Sequence, residues 1–154
     1  ILKIWLFWGK NILVILLLLL ITGCACTTRR VGDGANIPAA EPGSAQLRDV
    51  HFAFDKYDID AVAAEILRAN SDWLKANAGV RVQVEGHCDE RGTNEYNMVL
   101  GAKRAQAVYD FMRAQGVAAV RMSTISYGEE LALDPASNPV AWAKNRRAHF
   151  KQLN

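Results

Sequence analysis

Beyond residue 48 the chain switches between two hydrophobic periods. Val50, Phe52 and Phe54 alternate with His51 and Ala53, the two-residue period of a half-buried strand. Ile59, Val62, Ile66, Ala69 and Trp73 then recur at spacings of three and four, which predicts an amphipathic helix capped by Asp58 or Asp60 and stopped at Gly79. Val80, Val82 and Val84 alternate with Arg81, Gln83 and Glu85 in a second strand. Helical spacing returns from about Asn94 to Gln115, with Met98, Gly101, Ala105, Val108 and Met112 facing inward and Gly116 past the end. Met122 to Tyr127 predicts a third strand. Pro139 after Asn138 opens a short helix through Trp142, since proline is tolerated in a first turn. Ala148 and Phe150 alternate with His149 and Lys151 in a last strand. Residues 49–154 thus read βαβαβαβ, an α/β sandwich with a sheet at least partly parallel, large enough for a core of its own.

The front of the chain follows another pattern. Ile12 to Ile21 form an unbroken apolar run of ten residues, preceded by Lys3 and Lys10 and ending at Ile21-Thr22-Gly23-Cys24. That run is too short to span a bilayer and has the length of a secretory h-region with positive charge before it. Ile-Thr-Gly-Cys resembles a bacterial lipobox, so residues 1–23 are expected to be a lipoprotein signal peptide and Cys24 the acylated first residue of the mature protein. Cys26 is a poorer match to that pattern. Two or three acyl chains on one cysteine make an anchor effectively permanent, where one chain binds only marginally. Ala25 follows the acylated position, which by resemblance to lipoprotein sorting favours the outer membrane. The chain opens on Ile1 rather than Met, so an uncleaved signal anchor of the kind found in MotB-like inner-membrane proteins is the alternative. Residues 24–48 are rich in Gly, Ala, Pro, Thr and Ser without apolar period, and are expected to be a flexible, lipidated tether. Its extended reach is roughly 90 Å, its typical coil separation about 30 Å.

Charge narrows the partners. The chain is formally +2, and Lys3 and Lys10 supply that excess, leaving a neutral mature protein with 16 acidic residues. A nucleic-acid partner calls for a basic face, and none is evident.

The densest chemistry runs from Glu85-Gly86-His87-Cys88-Asp89-Glu90-Arg91-Gly92-Thr93 to Asn97 and on to Lys103-Arg104. Asp89 lies just past a strand, while Asn97 and Arg104 stand two helical turns apart on one face of the following helix. Acid, amide and guanidinium in one place match a zwitterion, ammonium on Asp89 and carboxylate on the planar fork of Arg104. An internal Asp89–Arg104 salt bridge is the competing reading. Gly86 and Gly92 bracket the loop, either baring backbone amides to an anionic group or serving only as turn residues.

This segment resembles the peptidoglycan-binding loop and helix of the OmpA-like domain family, especially its peptidoglycan-associated lipoprotein branch. The resemblance runs from about Val50 to Arg147 and includes Phe52-Ala53-Phe54-Asp55-Lys56-Tyr57-Asp58-Ile59, Ser126-Tyr127-Gly128-Glu129 and Lys144-Asn145-Arg146-Arg147-Ala148. Cys88 departs from the small residue usual there. The resemblance implies a mixed four-stranded sheet and binding of the peptidoglycan stem peptide through the side-chain zwitterion of meso-diaminopimelate. Asp89 and Arg104 would hold the charged end, with Asn97, Thr93, Phe54 and Asp55 lining the pocket. It further implies a lipid-anchored outer-membrane protein facing the periplasm, without cofactor or enzymatic activity, linking membrane to wall in the Tol system with TolB as partner. A generic OmpA-domain wall binder that ignores TolB is the nearer alternative.

A metal-dependent periplasmic enzyme built on His87, Cys88, Asp89 and Glu90 is a different class of function. Neighbours on an extended chain point to opposite faces, so at most His87 and Asp89 converge. No HExxH or CxxC spacing occurs, and no serine sits in a Gly-x-Ser-x-Gly context. The sequence therefore reads as a non-enzymatic binding module.

Overall fold

A computed structural model describes residues 47–153. The expected signal peptide, Cys24, Cys26 and all but the last two tether residues lie outside them. Four strands and three helices follow in chain order: β1 (Val50–His51), α1 (Ala61–Ala76), β2 (Arg81–His87), α2 (Asn94–Ala114), β3 (Met122–Gly128), α3 (Pro139–Asn145) and β4 (Arg147–Leu153), with a 3₁₀ turn at Ala119–Arg121 before β3. The sheet order is β1-β4-β2-β3. β2 and β3 are parallel, as a crossover through α2 requires, while β4 runs antiparallel to both β1 and β2. The mixed sheet is the one the family resemblance implied.

Side-chain caps set where the helices begin. Asp60 accepts from the Ala63 amide at 2.8 Å, Thr93 from the Tyr96 amide at 3.2 Å, and Asn138 from Val140 and Ala141 at 3.0 Å with Pro139 in the first turn. The core lies between the helices and one face of the sheet: Val82 and Val84 from β2, Phe150 and Ala148 from β4, and Leu67, Leu74, Ala105, Val108 and Met112 from α1 and α2. These residues all come from the described segment, so the domain carries its own core. No helix among the described residues is long and apolar enough to cross a membrane.

Four expectations change. In α1 the stripe Val62-Ile66-Ala69-Trp73 is the edge of the buried face and not its centre: Ile66 and Trp73 are half-buried against the core while Val62 and Ala69 are exposed, and the fully buried face is Ala63, Leu67, Asn70, Ser71 and Leu74, one residue further along the helix. Small and polar members hid that face from a hydrophobic pattern. They are satisfied nonetheless: Asn70 exchanges two hydrogen bonds with the Arg48 backbone, and the Ser71 hydroxyl donates to the Leu67 carbonyl at 2.7 Å. β1 ends at His51 rather than Phe54, because the chain turns at Phe54-Asp55 with Asp55 at φ 56°, leaving Phe54 out of the sheet. Helix α3 continues to Asn145, past Trp142. In α2, Met98 is only half-buried, and Leu100, Asn97 and Arg104 share the inward face with Gly101, Ala105, Val108 and Met112.

One contact fixes α2 over the end of β2. A Cβ on Gly86 would lie 1.9 Å from the Gly101 carbonyl oxygen, and a Cβ on Gly101 would lie 2.3 Å from the Ser126 hydroxyl. Only glycines let the two backbones meet so closely. The consequence is that Asn97 and Arg104, on the flanking turns of α2, reach the loop leaving β2.

Candidate functional site

A cleft of about 210 Å³ opens where that loop meets α2 and the Phe54-Asp55 turn, with Asp89, Arg104, Asn97 and Cys88 among its lining residues. Three guanidiniums, of Arg91, Arg104 and Arg146, face two carboxylates, of Asp55 and Asp89. The lining therefore carries an excess of one positive charge.

Arg104 is completely buried, yet no carboxylate pairs with it among the described residues. Its Nε donates to the Lys56 carbonyl at 2.8 Å, Nη1 to the His87 carbonyl at 2.8 Å and to Cys88 Sγ at 3.4 Å, and Nη2 to the Ala53 carbonyl at 3.2 Å. Of the roughly five N–H donors a guanidinium carries, these bonds leave one, on Nη2. Arg104 thus presents a charge and a single N–H to the cleft, not the open fork the spacing suggested. Burial lowers its pKa from the ordinary value, which raises the worth of any anion brought beside it.

Asp89 is also buried, at 3% exposure, but its partners are Arg91 and Arg146. Burial pushes its carboxyl up, and the hydrogen bonds from both guanidiniums and the Arg91 amide outweigh that and hold it below the usual range. It is therefore ionised at neutral pH. The internal Asp89–Arg104 bridge is absent: both charges converge on one cleft without neutralising each other.

The remaining candidates divide between cleft and frame. Asn97 lines the cleft but spends its amide on the Asp89 and Arg91 carbonyls, at 3.1 and 3.2 Å, and on a Glu129 carboxylate oxygen at 2.6 Å, so it shapes the loop. Phe54 and Asp55 stand at the rim, Asp55 accepting from the Tyr96 hydroxyl. Thr93 caps α2 and is not among the lining residues. Gly92 takes φ +119°, a conformation other residues rarely adopt, and closes the loop against Asn97. Cys88 forms part of the floor, its thiol donating to the Asn97 carbonyl at 3.3 Å; burial raises its pKa to about 11, so it remains a thiol.

Sequence reasoning missed Arg91, Arg146, Tyr96 and Leu100. Arg91 was within reach, because Asp-x-Arg at a strand end allows an aspartate to accept from the amide two residues on. Arg146 bonds Asp89 at 3.0 Å from 57 residues away, and spacing carries no trace of it. His87, Cys88, Asp89 and Glu90 do not converge: His87 stacks on Tyr127 on the other sheet face, and Glu90 accepts from Ser137 and Trp142.

Known proteins are similar to this chain in sequence and in fold. A model described as the OmpA family matches residues 51–146. A peptidoglycan-associated lipoprotein of Pasteurella multocida is 48% identical over 99 residues, covering 64% of this chain and 66% of that protein, a little under two thirds of its length. One from Mesorhizobium japonicum is 43% identical over 141 residues, covering 85% of this chain and 84% of the relative. The crystal structure of the peptidoglycan-associated lipoprotein from Burkholderia pseudomallei superposes with a TM-score of 0.67 at 35% identity, covering 69% of this chain and 90% of that one.

Proposed function

This chain belongs to the OmpA family, and on that premise we propose that it is a non-enzymatic outer-membrane lipoprotein that grips peptidoglycan. Cys24 carries the acyl chains, residues 24–48 form the tether, and the domain from residue 49 onward holds the stem peptide through the side-chain zwitterion of meso-diaminopimelate. The observation that carries this reading is the pair of buried, opposite, mutually unpaired charges of Asp89 and Arg104 in one cleft. Such an arrangement is expensive to bury and is useful to a ligand that brings the complementary pair.

Each charge-assisted hydrogen bond contributes about 1.5–3 kcal/mol, so a single stem peptide is held weakly. The tether compensates by keeping many identical stems at an effective concentration approaching roughly millimolar. Exchange between stems can then be fast while the membrane stays attached to the wall. Likeness to the peptidoglycan-associated lipoproteins extends the proposal to the Tol system in envelope integrity and cell division, with TolB competing for the cleft-bearing surface.

Co-sedimentation of residues 44–154 with purified peptidoglycan tests the reading, using Asp89→Asn and Arg104→Lys variants with unchanged circular dichroism. We expect the parent to pellet, both variants to lose roughly tenfold or more in affinity, and added TolB to release the parent. Variants that pellet like the parent would demote the two charges to framework.

A further inference from the structure

The carboxylate that would receive a ligand's ammonium is already full. Two carboxylate oxygens offer about four acceptor positions. Oδ1 of Asp89 takes the Arg91 amide and Arg91 Nε, both at 3.2 Å, and Oδ2 takes Arg91 Nη2 at 2.6 Å and Arg146 Nη1 at 3.0 Å. The Asp89 side chain is only 4% exposed, so solvent offers no free approach to it. A donor must leave before an ammonium can arrive.

The donors differ in how firmly they are held. The Arg91 amide belongs to the turn itself. The Arg146 side chain is 15% exposed and its Nε also donates to the Phe52 carbonyl at 2.9 Å, tying it to the sheet. The Arg91 side chain is 35% exposed, and its hydrogen bonds all go to Asp89. Its guanidinium lies at the cleft, 3.9 Å from the Phe54 ring centroid and 4.3 Å from that of Trp142. Arg91 is therefore the donor whose side chain can leave by breaking hydrogen bonds to Asp89 alone, and leaving also lifts its guanidinium off the two rings that hold it in the closed form.

We propose that Arg91 is a latch, an internal cation that occupies Asp89 in the ligand-free protein and gives way to the ammonium of the ligand. The inference rests on the diaminopimelate reading of the cleft and adds a selection rule to it. A ligand without a cation offers Asp89 nothing in exchange, so the latch stays shut against neutral and purely anionic peptides. A ligand with an ammonium replaces one ion pair by another, and its carboxylate then meets the charge of Arg104. Because the open form is a minority of the free protein, the latch lowers apparent affinity by the fraction it keeps closed.

Titration calorimetry of residues 44–154 with a synthetic stem tripeptide carrying meso-diaminopimelate tests the latch. Arg91→Met keeps the aliphatic stem between the rings and removes the cation. It should bind roughly tenfold tighter than the parent, the gain expected when the open form is a minor state. Arg91→Lys, a weaker latch that keeps the charge, should fall between them and serves if Arg91→Met does not fold. The same tripeptide with its side-chain amine acetylated should show no such gain. In a Trp73→Phe background, ligand should change Trp142 fluorescence in the parent and not in Arg91→Met, because only the parent has a cation to lift from the ring. A parent that binds while Arg91→Met and Arg91→Lys bind equally or more weakly would overturn the latch alone, leaving Arg91 as a direct ligand contact. A parent that does not bind the tripeptide would overturn the cleft reading and the latch together.

Discussion

The two faces of β2 bury polar groups in opposite ways. Toward the helices, the loop leaving β2 carries Asp89 into the cleft that Arg104 also lines, and the bonds of Arg104 run to main-chain carbonyls or the Cys88 thiol. On the other face, His87 and Arg147 are almost as buried, yet neither ring nitrogen of His87 nor Nη1 of Arg147 has a hydrogen-bond partner among the described residues. Arg147 approaches Asp49 only at 3.6 Å, while His149 holds the same carboxylate at 2.8 Å. A buried arginine is thus a keystone on one face and a weakly satisfied lodger on the other. Burial alone does not distinguish them; the destination of each N–H does.

Replacing Arg104 by Met should give the largest effect. It takes the guanidinium donors from the carbonyls of Lys56, His87 and Ala53, of which Ala53 keeps the Lys56 amide, and so unties the Phe54-Asp55 turn from the end of β2. We expect a loss of roughly 3–5 kcal/mol in chemical denaturation, with peptidoglycan pelleting abolished. A loss below about 1 kcal/mol would erase the contrast between the faces, since it would place Arg104 among ordinary exposed arginines.

His87 sharpens the contrast through pH. Burial, then the charges of Arg147 and His149, lower its pKa to about 4 from the ordinary 6.5. The unfolded chain therefore takes up a proton between those values while the folded one does not, and stability must fall as pH drops through that window. The difference amounts to up to about 3 kcal/mol, in full only below pH 4. Asp89, held low by its guanidiniums, acts in a lower range: its contribution is present above the unfolded carboxylate pKa and is lost as pH falls through the folded value. Denaturation midpoints measured from pH 7 to pH 4 should slope downward in the parent and become shallower in His87→Leu, the remaining slope coming from His51, whose pKa burial also lowers. An unchanged slope in that variant would assign the acid sensitivity elsewhere.

What the sequence disclosed followed from periodicity. Strand β2 and helix α2 are long and regular, and the seven-residue step from Asn97 to Arg104 placed both on the cleft-facing side of α2. Thr93, expected by resemblance to line the pocket, instead caps α2 and stands outside the lining. The inner face of α1 was misplaced because Asn70 and Ser71 are buried through hydrogen bonds instead of hydrophobicity. Asp89 was found, but its occupants were not: Arg146 arrives from β4's leading end, of which spacing carries no trace, while the Asp-x-Arg turn that brings in Arg91 was legible and went unread. Hydrophobic pattern reports which side of an element is wet. It is silent on which donor fills which acceptor.

The smallest expected effect is also the most discriminating. Arg147→Met removes a buried charge whose Nη1 is unpartnered and whose Nε is a long 3.6 Å from Asp49. Asp49 keeps His149, so no carboxylate is stranded, and burial already disfavours the charge on Arg147 by lowering its pKa. The gain in desolvation and the lost attraction nearly cancel, and the variant should lie within about 1 kcal/mol of the parent, on either side. It should also bind peptidoglycan like the parent, because the cleft opens on the other face of β2. Arg147 is among the charges that lower the His87 pKa, so its removal should let that pKa rise and make the pH slope shallower. A loss comparable to that of Arg104→Met would mean that the missing partner is supplied in solution, by ordered water bridging Nη1 to His87, and that both faces of β2 are saturated after all.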